Sequence, residues 1–244
     1  MKILAKYLGG SFSYGLNTSE SDKDERYVFL HTDISKIIGL DRCDHLSKQT
    51  DGEDSFGWDL RHALNLLKCG NTMVLEILHN DTWLDVSPEF KYIQSLRNQL
   101  IDSHKLYKCL HGYCFSERQL VLGKRTGLLG SKRKLSLDIF GYSYKNAVQF
   151  LRLCLAGEQF FQTGVFPVNI KNLREWDLLF DIKCNPKNYK KEQIIQLMDE
   201  YEEKLNKSYQ NIKIVFKYDE KIANKICYDL YFPILYNFKY PPED

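Results

Sequence analysis

Apolar and polar positions alternate differently along the two parts of the chain. Residues 2–8 (KILAKYL) form a short apolar lead-in that runs into Gly9-Gly10, and they read as a strand ending in a turn. Asn17 to Asp22 is a polar turn, and Arg26-Tyr27-Val28-Phe29-Leu30 is a run of strand formers. Residues 31–52 read as a loop-rich excursion with one apolar piece, Ile34 to Leu40. From Leu60 the period changes. Ala63, Leu64 and Leu67 recur at helical spacing and stop at Gly70-Asn71, and Met73, Val74, Ile77 and Leu78 mark a second helix. Ser87-Pro88 is a break, and the first region is expected to end near it.

Beyond that break the pattern is mostly helical. Tyr92 to Phe115 predicts one helix. Tyr144 to Gln162 predicts another, with Ala147, Phe150, Leu151 and Cys154 on one side. A strand is expected at Val165 to Ile170. Two more helices follow, Lys191 to Ser208 with a stripe of Ile194, Ile195, Met198 and Leu205, and Glu220 to Tyr236. The aromatic residues from Tyr228 to Tyr240 fall at helical spacing and read as core rather than as a base-stacking platform. The expected architecture is therefore α+β. Residues 1–90 form a small mixed sheet with flanking helices, and residues 91–244 a mostly helical region.

Composition narrows the function classes. The 244 residues are 43% hydrophobic and 14% aromatic, which is a folded globular composition. No apolar run approaches the roughly 18 residues of a membrane span, and the first fifteen residues lack the pattern of a secretion signal. Seven scattered cysteines, an odd number, fit reduced thiols in a cytoplasm. Cys109, His111 and Cys114 lack a fourth ligand partner for a structural zinc site. Charge is unevenly placed: residues 1–95 hold 10 Lys/Arg against 15 Asp/Glu, a net −5, and the remainder 24 against 17, a net +7. An acidic first part suits metal ions and a basic second part an anionic partner, although a solvated surface shows such unevenness too.

The chemistry concentrates in the first 54 residues. Gly9 and Gly10 let the backbone turn tightly and come close to a ligand, and Ser11 adds a hydroxyl. On a strand Asp22 and Asp24 share a face while Lys23 points away. Paired carboxylates of that kind are hard oxygen ligands for Mg²⁺. Taken singly, a Gly-Gly-Ser segment is usually only a turn and an Asp-x-Asp pair only a solvated loop. Their joint order, glycine turn first and carboxylates about ten residues later, points to nucleoside triphosphate chemistry.

The string from Gly10-Ser11 through Tyr14-Gly15, Thr18, Ser21-Asp22-Lys23-Asp24 and Arg26 resembles the DNA polymerase β-like nucleotidyltransferase superfamily, in particular its branch of predicted RNA-repair-associated members. Asp54-Ser-Phe-Gly-Trp58-Asp59-Leu60-Arg61 with Gly70-Asn71 to Leu75-Glu76-Ile-Leu78 is similar to that branch's strand–helix block. Gly141-Tyr142 to Lys145-Asn-Ala147, with Leu151-Arg152-Leu153 and Thr163-Gly164, resembles its helical motif. The resemblance implies that Asp22, Asp24 and a third carboxylate, aligned to Asp54, bind two Mg²⁺ or Mn²⁺ ions, and that Gly10 and Ser11 hold the phosphates of an NTP such as ATP. Arg26 either meets phosphate or pairs with an acidic neighbour. Asp51 and Glu53 crowd the same strand start as Asp54. Asp59 reads equally as a helix cap or a ligand, and Glu76, in an apolar helix, needs a partner. Lys23 stands where the superfamily has apolar or small residues, and Asn146 and Gln149 where the branch commonly carries histidines.

One further segment bears on the partner. Arg118 to Ser136 holds six Lys/Arg and no acid, with Gly123, Gly127 and Gly130 expected to make it flexible. Lys124, Arg125, Lys132, Arg133 and Lys134, with Lys145 and Arg152 from the helical motif, are the candidate RNA contacts, since RNA phosphates are natural partners for such cations. The expected reaction is metal-dependent transfer of NMP from an NTP to a hydroxyl, at an RNA (tRNA-like) 3′ end. Nucleotidylation of a protein side chain and non-catalytic RNA or nucleotide binding are the alternatives.

Overall fold

The computed structural model describes residues 1–50, 53–125 and 131–239. In chain order the elements are β1 (Lys2–Leu8), α1 (Gly10–Ser13), β2 (Lys23–Leu30), α2 (Ile34–Ile38), β3 (His45–Thr50), β4 (Glu53–Asp59), α3 (Leu60–Lys68), α4 (Thr72–His79), β5 (Asp85–Val86) and α5 (Pro88–Ser95). Then come α6 (Ser103–Val121), α7 (Ser131–Phe140), α8 (Tyr144–Thr163), α9 (Trp176–Cys184), α10 (Lys191–Gln210) and α11 (Glu220–Lys239). They divide into two compact units, residues 1–102 with 216–244, and residues 103–215. The α+β class is as expected.

In the first unit, five strands among the described residues form one mixed sheet in the order β3-β4-β2-β1-β5. β2 and β4 run parallel; β1 pairs antiparallel with β2 and β5, and β3 with β4. Leu4, Tyr7, Val28, Phe29 and Leu30 are buried on the strands. Helices α3, α4 and α5 bring Leu60, Ala63, Leu64, Leu67, Ile77, Leu78 and Phe90 against Val28, so the sheet and three helices share one apolar core. Each helix starts at a side chain that satisfies its first free N–H groups. Asp59 Oδ1 accepts from Arg61 N, Asn71 Oδ1 from Met73 N and Val74 N, and Ser87 Oγ from Phe90 N, with Pro88 at the first turn of α5. Ser87-Pro88 therefore opens a helix of this unit; the contact boundary lies after Asp102 rather than near residue 90.

The C-terminal segment returns to this unit. Tyr218 Oη donates to Leu64 O at 2.9 Å, Asp219 N to Gln99 O at 2.8 Å, and Lys68 pairs with Glu220 at 2.9 Å. Tyr231, 6% exposed, donates its hydroxyl to Asp59 Oδ2 at 2.7 Å. Four more of the segment's aromatic residues depart from the core role expected of them, and Tyr240 lies outside the described residues. Tyr228, Phe232, Tyr236 and Phe238 are more than half exposed, because only the opposite face of α11 meets the unit.

The second unit is helical. α8 lies between α6 and α10 and is buried along most of its length. A Cβ on Gly157 of α8 would stand 2.6 Å from Leu205 Cδ1 and 2.8 Å from Leu110 Cδ1, so glycine permits both neighbours to close in. Arg118 clamps α6 to α10 through Asp199 and Glu202, both at 2.7 Å. Two expectations fail in this part of the chain. The single helix over Tyr92–Phe115 is two, α5 and α6, parted by a 3₁₀ turn at Arg97–Gln99 and by the buried Leu100 and Ile101. Residues 165–170 bury Phe166, Val168 and Ile170 alternately, as a strand does, but are paired to no strand among the described residues; the Phe166 ring lies 6.5 Å from that of Phe160 on α8.

Candidate active site

Parallel pairing of β2 with β4 sets the site. In register Lys23 faces Glu53, Asp24 faces Asp54 and Arg26 faces Phe56. Register partners on neighbouring strands, about 4.8 Å apart, project to the same face, so Asp24 and Asp54 lie side by side. Asp22 sits just before β2, two residues from Asp24, and is exposed; Asp24 and Asp54 are half-buried. The Asp24 carboxyl is raised above the ordinary aspartate value. Burial is the main cause, with the negative charges of Asp54 and Asp22 adding and the Arg26 guanidinium opposing. Three neighbouring charges thus act on Asp24.

The glycine turn lies directly on this face. Gly9 N donates to Asp24 O at 2.6 Å, and a Cβ on Gly9 would lie 2.7 Å from Arg26 Cγ. A Cβ on Gly10 would stand 2.8 Å from Asp24 Oδ2, and Gly10 has φ +60°, the left-handed region that favours glycine. The turn is closed by Ser13 Oγ and Tyr14 N donating to Gly10 O at 2.9 and 3.2 Å, and by Leu16 N donating to Ser11 O at 2.9 Å. Gly10, Ser11, Asp24, Arg26 and Asp54 are therefore brought together, with Asp22 at the edge. Arg26 Nη1 donates to the Glu25 carbonyl at 2.9 Å while its stem covers Gly9.

The donor set, Asp24 and Asp54 on two adjoining strands with Asp22 just before β2, has the oxygen chemistry that hard divalent cations take. Among the described residues no three His, Cys, Asp or Glu side chains are gathered closely enough to hold a metal ion, so the acids are neighbours rather than a closed cage. Asp51 lies outside the described residues, and for Glu53 only its backbone register with Lys23 is described.

Asp59 resolves as a cap. It is fully buried at the end of β4, holds the first turn of α3, accepts from Tyr231 and stands 3.8 Å from Arg61 Nη2. Glu76 is 4% exposed on α4 and accepts from Tyr14 Oη at 3.1 Å. That tie between the glycine turn and α4 spans 62 residues of sequence. An acid in an apolar helix signals that a partner exists, but not which one.

The candidate RNA contacts divide. Lys124, Arg125, Lys134 and Lys145 are exposed on the helical unit. Lys132 and Arg133 begin α7, but their side chains lie outside what is described, as do residues 126–130 with Gly127 and Gly130. The stretch expected to be flexible is thus in part helix. Arg152 is 1% exposed with its Nε 3.2 Å from Gln149 Oε1, a core position that presents no cation to an RNA backbone. Asn146, where the branch commonly has histidine, donates to Glu117 Oε2 at 2.7 Å and accepts from Ser143 Oγ at 2.6 Å.

A family model described as RlaP, RNA repair pathway DNA polymerase beta family, matches residues 1–215. No curated protein sequence matches the chain.

Proposed function

The chain belongs to the RNA repair pathway DNA polymerase beta family, and from that premise we propose that it transfers a nucleoside monophosphate from an NTP to the 3′ hydroxyl of an RNA, with pyrophosphate leaving. The observation that carries the reading is the pairing of Asp24 with Asp54 across β2 and β4, directly under a glycine turn whose Gly10 leaves no room for a Cβ beside Asp24. Asp22, Asp24 and Asp54 are the residues that would hold divalent cations, Mg²⁺ or Mn²⁺. Such ions, when bound, favour deprotonation of an attacking hydroxyl and neutralise charge building up on the phosphates.

The protein's own part is positioning. Gly10 and Ser11 offer backbone and hydroxyl donors to the phosphates, and Arg26, on the Asp24 side of β2, supplies a fixed positive charge beside them. The Tyr14–Glu76 tie holds that turn in place. Exposed Lys124, Arg125, Lys134 and Lys145 of the basic helical unit suit the acceptor's phosphates.

The test is incubation of the purified protein with labelled NTPs, Mg²⁺ and bulk tRNA. Label entering RNA is expected. Label appearing only in protein would identify a side chain as acceptor. No label, and no Mg²⁺-dependent NTP binding, would leave a non-catalytic binding protein and overturn the proposal.

A further inference from the structure

Helix α11 presents two faces of opposite character. Ala223, Ile226 and Tyr231 are buried against the sheet-bearing unit, and Tyr231 is fixed by Asp59. The other face carries Tyr228, Phe232 and Tyr236, which are 71%, 64% and 52% exposed. Their spacing of i, i+4 and i+8 sets the three rings in one row, with Phe232 and Tyr236 centroids 6.0 Å apart. Ile38 and Leu40 are exposed at and just after the end of α2, the helix that α11 packs against.

The size of this surface is informative. An aromatic side chain offers about 200 Å², so the three rings leave roughly 400 Å² in the open, and the largest apolar patch of a monomer is about 300–600 Å². A stable interface takes about 800 Å² from each partner and is a little over half apolar, so the row is about the apolar share that one side of a dimer needs. Its charge is close to balanced and gives RNA or an anionic membrane little to hold. Residues 220–239 carry three bases and two acids, and Lys225 is already paired with Asp229 at 2.8 Å. The row is also self-complementary. Turned about a two-fold axis at Phe232, it sets Tyr228 opposite Tyr236 of the second copy and Phe232 opposite itself, which is the isologous pattern. The segment lies beyond the residues that the family match covers.

We propose that this face of α11 is a self-association surface, pairing two copies of the chain in antiparallel register about Phe232. The proposal stands independently of the transfer reaction.

Sedimentation velocity over a concentration series tests it on the full chain. The wild type is expected at twice the chain mass, and Phe232→Glu at the single-chain mass with unchanged helical circular dichroism. Phe232→Cys is expected to cross-link as a dimer with a short bis-maleimide, well above the background from exposed Cys69 and Cys184 in the wild type. A wild type that stays at single-chain mass throughout overturns the proposal, as does a dimer untouched by both Phe232→Glu and Tyr228→Glu. Monomeric wild type that binds single-stranded RNA or anionic vesicles, with binding lost in Phe232→Glu, overturns it in favour of that other partner.

Discussion

Gly10→Ala separates the geometry of the site from the stability of the fold. Two costs are legible at this position. The first is backbone: φ is +60°, and a side chain in the left-handed region costs about 1–2 kcal/mol. The second is spatial: the new Cβ would lie 2.8 Å from Asp24 Oδ2, inside an ordinary contact of about 3.5 Å, so the carboxylate must swing away by more than half an ångström. That movement is cheap for folding, because the atom is the end of a side chain. It is costly for transfer, because displacing a positioned group by about 1 Å can cost a hundredfold in rate. Urea denaturation should therefore show a loss of about 1–2 kcal/mol, while NMP transfer falls by about two orders of magnitude. Gly112→Ala is the control. Nothing lies within 4 Å of its would-be Cβ, it sits inside α6, and alanine there should stabilise by about 0.5–1 kcal/mol with transfer unchanged. Gly10→Ala with wild-type stability and wild-type transfer would refute both the strain and the close approach.

Other outcomes follow from particular contacts. Tyr231→Phe removes a hydroxyl from the buried carboxylate of Asp59 and should destabilise by about 1–3 kcal/mol in urea denaturation, more than Tyr228→Phe on the exposed face. Glu76→Ala should raise KM for NTP with a smaller change in kcat, and Glu76→Gln, which keeps an acceptor for Tyr14, should recover most of it. Gly157→Ala should overpack α8 against Leu110 and Leu205 and cost about 1–3 kcal/mol, read as a lower melting temperature. His79 is held neutral: burial, and then the Arg97 charge, lower its pKa from 6.5 to about 3. The unfolded chain thus binds the extra proton first, so this contribution is complete above pH 6.5 and is lost as pH falls toward 3, on the order of a few kcal/mol in all. His79→Asn should flatten the stability–pH profile in that window; an unchanged slope would remove His79 as its cause.

What was legible in the sequence and what was not divide by the range of the interactions. Local spacing locates α3 from Leu60, Ala63, Leu64 and Leu67, its stop at Gly70, and α8 from Ala147, Phe150, Leu151 and Cys154, because these depend on neighbours within a few residues. The order Gly10-Ser11, Asp22 and Asp24, with Asp54 added by the resemblance, points to a candidate site, and strand register places Asp54 beside Asp24. β3 was not visible, since HLSKQT has little apolar alternation and is held as a strand by pairing with β4. α9 gives no clear periodic signal for a similar reason: its burial rests on two positions, Leu179 and Ile182. Asp59 and Glu76 stayed ambiguous because their partners, Tyr231 and Tyr14, lie 172 and 62 residues away in the chain. Arg152 looked like a candidate for phosphate, as arginines do, but the face of α8 that carries it is buried. The aromatic row of α11 looked like core for the converse reason. Periodicity reveals that a helix has an apolar face, but not whether anything in the same chain covers it.

The proposed role of Asp24 and Asp54 as the centre of nucleotidyl transfer stands on their pairing across β2 and β4. It is tested most directly by Mg²⁺-dependent pyrophosphate release from NTPs in the presence of tRNA, for wild type, Asp24→Asn and Asp54→Asn, each shown by circular dichroism to be folded. Release by the wild type and loss in both variants are expected. Folded variants that release pyrophosphate at the wild-type rate would contradict it.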